Sequence, residues 1–201
     1  MNIKARINAR KILLVYFYEQ YFFILASKKD TVLGNIDKVR KIVANPGDED
    51  DIDINIAKVM ENDYYGDFDH EIVYIIENYF AKVEHEDIDF DYIKNVWPYF
   101  AKYKDLVHEA VDKHAVTFGY DSMDLMDRVL FILGYIEFVE LKTPKEIVLN
   151  EMVELAKRYG DDSSPKLLNG IGHKIFEELE GGAGEKKNKG EKEKKKGKKK
   201  E

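Results

Sequence analysis

Apolar side chains recur every three or four residues along most of the chain, and strand-like alternation is nearly absent, so an all-α fold is expected. In the opening segment Ile7, Leu13, Leu14, Phe17, Tyr21, Ile24 and Leu25 form one wide stripe at helical spacing. A second helix is predicted over Thr31 to Ala44, with Leu33, Ile36, Val39, Ile42 and Val43 on one face, stopped by Asn45, Pro46 and Gly47. The segment from Asp51 to Ile56 alternates like a strand, yet Ile52, Ile56 and Val59 also fit a helix, and both readings stay open. Phe68, Ile72, Ile75, Ile76, Tyr79, Phe80 and Val83 predict a better amphipathic helix, with a break at His85 to Ile88. Residues 89–118 read as mostly helical, with Pro98 as a kink or a helix start.

The last third has the strongest pattern. Asp127 to Glu140 carries Val129, Leu130, Phe131, Ile132, Leu133, Ile136 and Phe138, the profile of a helix buried on most sides. Thr143 and Pro144 predict a cap and a start, and Ile147, Leu149, Met152, Val153 and Ala156 the inner face of the helix that follows. Lys157 and Arg158 fall in its last turn, and Gly160 is expected as a left-handed stop. Ser164 reads as the N-cap of a final helix with Pro165 at its first position and Leu167, Leu168, Ile171, Ile175 and Leu179 inside.

Charge divides what periodicity leaves uniform. The 201 residues carry a formal charge of −7, but residues 181–201 hold ten lysines and four glutamates, which leaves residues 1–180 at −13. An acidic body is not that of a protein that coats DNA with its whole surface. Between Asp48 and Asp91 stand sixteen acidic residues against two lysines. The tail 181–201 has no apolar side chain beyond Ala183, cannot offset its ordering entropy, and is expected to be disordered. With no cysteine, disulfides, thiolate metal sites and cysteine nucleophiles are excluded. Lys4, Arg6, Arg10 and Lys11 ahead of Ile12 to Ala26 mimic a signal peptide, but Glu19 and Gln20 interrupt the apolar run and Ile24 occupies the −3 position of the only small-residue site. A cytoplasmic chain without a membrane span is expected.

No enzymatic constellation emerges, and no cofactor or metal is expected. His70, His85, His108, His114 and His173 lack metal-ligand spacing. Asp48 to Asp53 and Asp87 to Asp91 lack the glycine and terminal glutamate of a calcium loop. Gly181, Gly182 and Gly184 lie in low-complexity sequence rather than between a strand and a helix, and Ser122, Ser163 and Ser164 have no accompanying base. Two features do suit an anion. Lys4, Arg6 and Arg10 cluster at the start of the first helix, against its dipole, and Lys166 stands just inside the start of the last, where free backbone donors point outward. The first is equally an ordinary solvated face, and the tail equally a solubilising terminus or a source of sequence-independent attraction to nucleic acid.

The run from Pro144 to Lys174 resembles the carboxyl-terminal signature of the transcription antitermination factor NusB family. The matching positions are Pro144, Asn150-Glu151, Glu154 to Lys157, Tyr159-Gly160, Ser164, Lys166, Asn169-Gly170 and Lys174. Asp127-Arg128 with the apolar helix ending near Glu137, and Ala9-Arg10 with the run to Phe17-Tyr18, fit the same family, whereas residues 30–100 match little. The resemblance implies two packed helical bundles over residues 1–180, with subdomains of about 1–84 and 85–180. It implies a non-enzymatic RNA-binding factor that recognises boxA-type single-stranded leader RNA with the ribosomal protein NusE, within an RNA polymerase antitermination complex. The family's RNA contacts map to Lys4, Arg6, Arg10 and Lys166. Tyr18 would stack on a base, or else pack beside Phe17. Ile132 stands where the family often has arginine, and Ser163 where it commonly has an acid. Two other readings remain: a protein-binding scaffold without RNA recognition, or an accessory RNA-binding module of the kind found ahead of ribosomal RNA cytosine methyltransferases.

Overall fold

The structure is a computed structural model that describes residues 2–28, 68–116 and 119–197, with the side chains of 26–28, 68–69 and 182–197 left outside that description. The second helix predicted over 31–44, its stop at 45–47 and the ambiguous segment 51–56 lie outside the described residues. What is described is helical throughout, as the periodicity predicts. The helices are α1 (Ile3–Lys28), α2 (Phe68–Tyr79), α3 (Phe90–Val96), α4 (Phe100–His114), α5 (Leu125–Val139), α6 (Lys145–Tyr159) and α7 (Ser164–Gly197), with 3-10 turns at His85–Asp87, Trp97–Tyr99 and Tyr120–Ser122. They divide into two compact units, Met1–Lys94 and Asn95–Glu201.

In the first unit α1 packs on α2 and on the turn at His85–Asp87. Its buried face is Ala5, Ala9, Ile12, Leu13, Tyr16, Phe17 and Tyr21. Asn8, Arg10 and Leu14 are buried alongside it, and the alanines at 5 and 9 let the 85–89 segment lie close, while Ile7, Ile24 and Leu25 of the expected stripe are half-buried. Asp89 N–H donates to the Ala5 carbonyl at 3.3 Å and the Asn8 side-chain amide donates to the Asp87 carbonyl at 3.0 Å. α2 stops at Tyr79 instead of running on to Val83, and a turn follows in which the Val83 N–H donates to the Phe80 carbonyl at 2.8 Å. Asp89 then opens α3: its Oδ1 accepts the Tyr92 N–H at 2.9 Å, an N-cap placed three residues ahead. Pro98 sits in the turn between α3 and α4, where its missing N–H costs nothing.

The second unit is organised around α5, which buries Val129 to Gly134 without interruption and Ile136 beyond. At Gly134 a Cβ would lie 2.3 Å from Met152 Sδ and 3.2 Å from Val148 Cγ1, so α6 approaches α5 through the absent side chain. Phe138 stacks on Phe176 with ring centroids 4.7 Å apart, joining α5 to α7. Lys113 and His114, in the last turn of α4, meet Glu178 at 2.6 and 3.0 Å.

Three expectations for this unit change. The inner face of α6 is Val148, Leu149, Met152, Leu155 and Ala156, while Ile147 is 49 % exposed. Leu149, Met152 and Ala156 lie on it as expected, and the helix starts at Lys145 after Pro144 with no side-chain cap. Gly160 is extended (φ −91°, ψ −173°) rather than left-handed, and its glycine answers a close approach, since a Cβ there would lie 2.7 Å from Ser164 Oγ. Ser164 is inside α7, not its N-cap; its hydroxyl looks backward, accepting the Asp161 N–H at 3.1 Å. The backbone of α7 runs as helix to Gly197.

Candidate nucleic-acid interface

The cations of α1 do not stand alone. Asp87 and Asp89, two residues apart on the returning segment, face Lys4 and Arg6, two residues apart on the helix. Arg6 Nε donates to Asp89 Oδ2 at 2.9 Å, and its guanidinium lies 4.4 Å from the Tyr92 ring centroid. Both side chains of that pair are about four-fifths buried, so Arg6 is clamped between a carboxylate and an aromatic face. Arg10 is 5 % exposed, with its guanidinium 5.7 Å from the same ring. Lys4 is different: its side chain is 71 % exposed while pairing with Asp87. That hydrogen bond and the Asp87 charge raise the Lys4 pKa above its ordinary value, with Glu84 and Glu86 adding to the effect.

Tyr18 is 36 % exposed and lies off the stripe that buries Phe17, which packs against Tyr16 instead. Phe22 and Phe23, further along α1, are half exposed. Beside them, burial raises the pKa values of Glu19 and Glu71, and Gln20 Nε2 donates to Glu71 Oε2 at 2.9 Å.

In the second unit Lys166 lies in the first turn of α7, exposed and without an ion pair among the described residues. It forms a ridge between two open grooves. One, of about 520 Å³, is bordered by His114, Val116, Ser163, Gly170 and Lys174; the other, of about 540 Å³, by Glu146, Asn150, Pro165 and Asn169. The turn below is held by Ser164 and by buried Asp127, whose pKa is raised by burial and by the nearby charges of Asp124 and Asp161, against the opposing Ser164 hydroxyl. Ile132, where an arginine would supply a further contact, is fully buried and contributes nothing to a ligand surface.

Sequence reasoning found the cations and missed their partners. The Asp89 cap was legible from Asp89-Phe90-Asp91-Tyr92, but its pairing with Arg6 joins positions 83 residues apart, and no local pattern announces it. No group of three metal-ligating side chains converges among the described residues, and no described helix is long and apolar enough to cross a membrane.

The described residues form helices joined by turns, with exposed lysines at the starts of α1 and α7. The NusB family profile matches residues 54–175, more than half of the chain. Transcription antitermination protein NusB of Staphylococcus epidermidis is 32 % identical over 92 residues, covering 46 % of this chain and 71 % of that protein. The protein of the same name from Fusobacterium nucleatum is 31 % identical over 81 residues (40 % and 53 %), and that from Bacillus licheniformis 35 % over 78 residues (38 % and 60 %). The chain belongs to the NusB family, a family of non-enzymatic transcription factors. The signature at Pro144 to Lys174, with Lys166, falls inside the matched span, whereas Lys4, Arg6, Arg10 and Tyr18 precede it.

Proposed function

We propose that this chain is a cytoplasmic transcription antitermination factor that binds boxA-type single-stranded leader RNA together with the ribosomal protein NusE, within an RNA polymerase antitermination complex. The observation that carries the reading is the family match over residues 54–175, with Lys166 inside it, exposed and without an ion pair among the described residues. Lys4 and Lys166 would attract phosphates, and Tyr18 would offer a ring face to an unstacked base. Arg6 and Arg10, held in place by their surroundings, would shape the local field rather than reach outward. The acidic body repels RNA elsewhere and suits a basic ribosomal partner. Few exposed cations imply weak binding by this chain alone and stronger binding by the pair.

Fluorescence anisotropy with labelled boxA-like RNA, using the chain, NusE and their mixture, tests this. The mixture should bind more tightly than either protein and more tightly than it binds a scrambled RNA. A mixture no better than NusE alone would overturn the RNA reading. That outcome would favour the protein-binding scaffold, which the buried Ile132 and the ion-paired Lys4 and Arg6 support.

A further inference from the structure

Two acid–base pairs link the start of α1 to the 85–89 segment, and they are not equivalent. Asp89 is committed twice, with Oδ2 on Arg6 and Oδ1 on the Tyr92 N–H that begins α3. The Asp87 carboxylate pairs with Lys4, whose side chain is 71 % exposed. Its backbone is fixed separately: the Asp87 N–H donates to the Glu84 carbonyl at 2.9 Å, and its own carbonyl accepts from Asn8 at 3.0 Å. The carboxylate is thus held against an ammonium that water and ions reach freely, with no fold-forming bond depending on it.

We propose that Asp87 sets RNA affinity by competing with phosphate for Lys4. In the free protein Asp87 occupies the ammonium; in the complex an RNA phosphate replaces it, and the displaced carboxylate is solvated. This rests on the RNA-binding reading above. Glu84 and Glu86 face the same ammonium and add a weaker repulsion toward an incoming phosphate. The Arg6–Asp89 pair stays closed throughout, since opening it would unseat the start of α3.

The competition leaves a mark on salt dependence. A phosphate that binds Lys4 releases its own condensed counterion, but the displaced Asp87 carboxylate draws a cation in its place, so the net release and its share of the slope are small. Asp87→Asn preserves both backbone bonds and removes the competitor. In the presence of NusE it should bind boxA-like RNA about two- to five-fold more tightly at low salt, the range of an exposed ion pair. The slope of log affinity against log salt should steepen by up to about 0.7, one single-strand phosphate contact. Glu86→Gln removes the same charge without touching the pair and should give a smaller gain. In a Lys4→Ala background Asp87→Asn should gain no more than Glu86→Gln does.

Circular dichroism melts of each variant establish that folding is unchanged, and Asp87→Ser serves if the asparagine variant is destabilised. If the wild-type pair binds RNA and Asp87→Asn is not tighter, or gains equally without Lys4, the competition is refuted while the RNA reading stands. If the wild-type pair binds no boxA-like RNA at any salt concentration, the RNA reading fails and this inference falls with it.

Discussion

At the start of α1 Lys4 and Arg6 are each paired with a carboxylate, whereas at the start of α7 Lys166 makes no ion pair among the described residues. Both are basic helix starts, and the sequence describes them in the same terms. The difference lies in what returns to cover them. Residues 84–91 carry five acidic side chains back to α1, and the backbone bonds at Ala5 and Asn8 fix them there. At α7 the chain enters from Asp161 and Asp162, but Ser164 closes the turn through its own hydroxyl and leaves the lysine outside. A cation's availability to a ligand is therefore decided by the tertiary neighbours of its helix, not by its place in it.

The comparison breaks most visibly at Arg6. If Arg6 is a fold-forming cation, Arg6→Ala should lower stability by about 2 kcal/mol, because it strands a largely buried Asp89 and removes the contact with Tyr92. Lys4→Ala should leave the denaturation midpoint unchanged, as expected for a pair on an exposed side chain. Urea denaturation followed by circular dichroism separates the two. Equal, small losses would mean that Arg6 is as dispensable to the fold as Lys4, and the distinction between anchor and exchangeable pair would be lost.

The base of α7 offers a second handle through Asp127. Burial raises its pKa in the folded state, so the folded protein holds this proton more tightly than the unfolded chain does. The sign follows: this group's contribution is fully present below the ordinary aspartate value of 3.8 and is lost as pH rises through the higher folded value. Asp127→Asn removes the titration. Relative to wild type its stability should fall less between acid and neutral pH, with a gain at pH 7 of up to about 1 kcal/mol. Denaturant midpoints measured across that interval report the difference. A variant that tracks wild type at every pH would show that the carboxylate is solvated in the folded protein.

Much of this architecture was legible in the amino-acid order because helical periodicity is a local property. The uninterrupted apolar run in α5 could only be a buried helix, and it is. Where the reading slipped, a tertiary contact had replaced a local rule. Glycine usually ends a helix in the left-handed conformation, yet at Gly160 the crowding by Ser164 selects it. Ser164 followed by proline fits a cap, yet the hydroxyl serves the preceding turn. In α6 Leu149, Met152 and Ala156 are buried as periodicity predicts, while Val148 and Leu155 are buried in place of Ile147 and Val153. The cations were identifiable from sequence alone; Asp87, Asp89 and Tyr92 were not identifiable as their partners, because that pairing crosses residues with no pattern in common.

Lys166 gives the smallest and cleanest effect. With its side chain exposed and no ion pair among the described residues, Lys166→Ala should fold and melt like the wild type. Its consequence should be confined to RNA: about a three-fold loss of affinity for boxA-like RNA with NusE present, and a salt slope shallower by about 0.7. The sign is opposite to that of Asp87→Asn, which steepens the slope by freeing a lysine. Combining the two substitutions should nearly restore the wild-type slope, because one phosphate contact is added in the first unit and one removed in the second. If Lys166→Ala instead lowers affinity with no change in slope, the lysine acts on the shape of the two grooves beside it rather than through its charge, and the contrast between a covered and an open cation ceases to explain binding at α7.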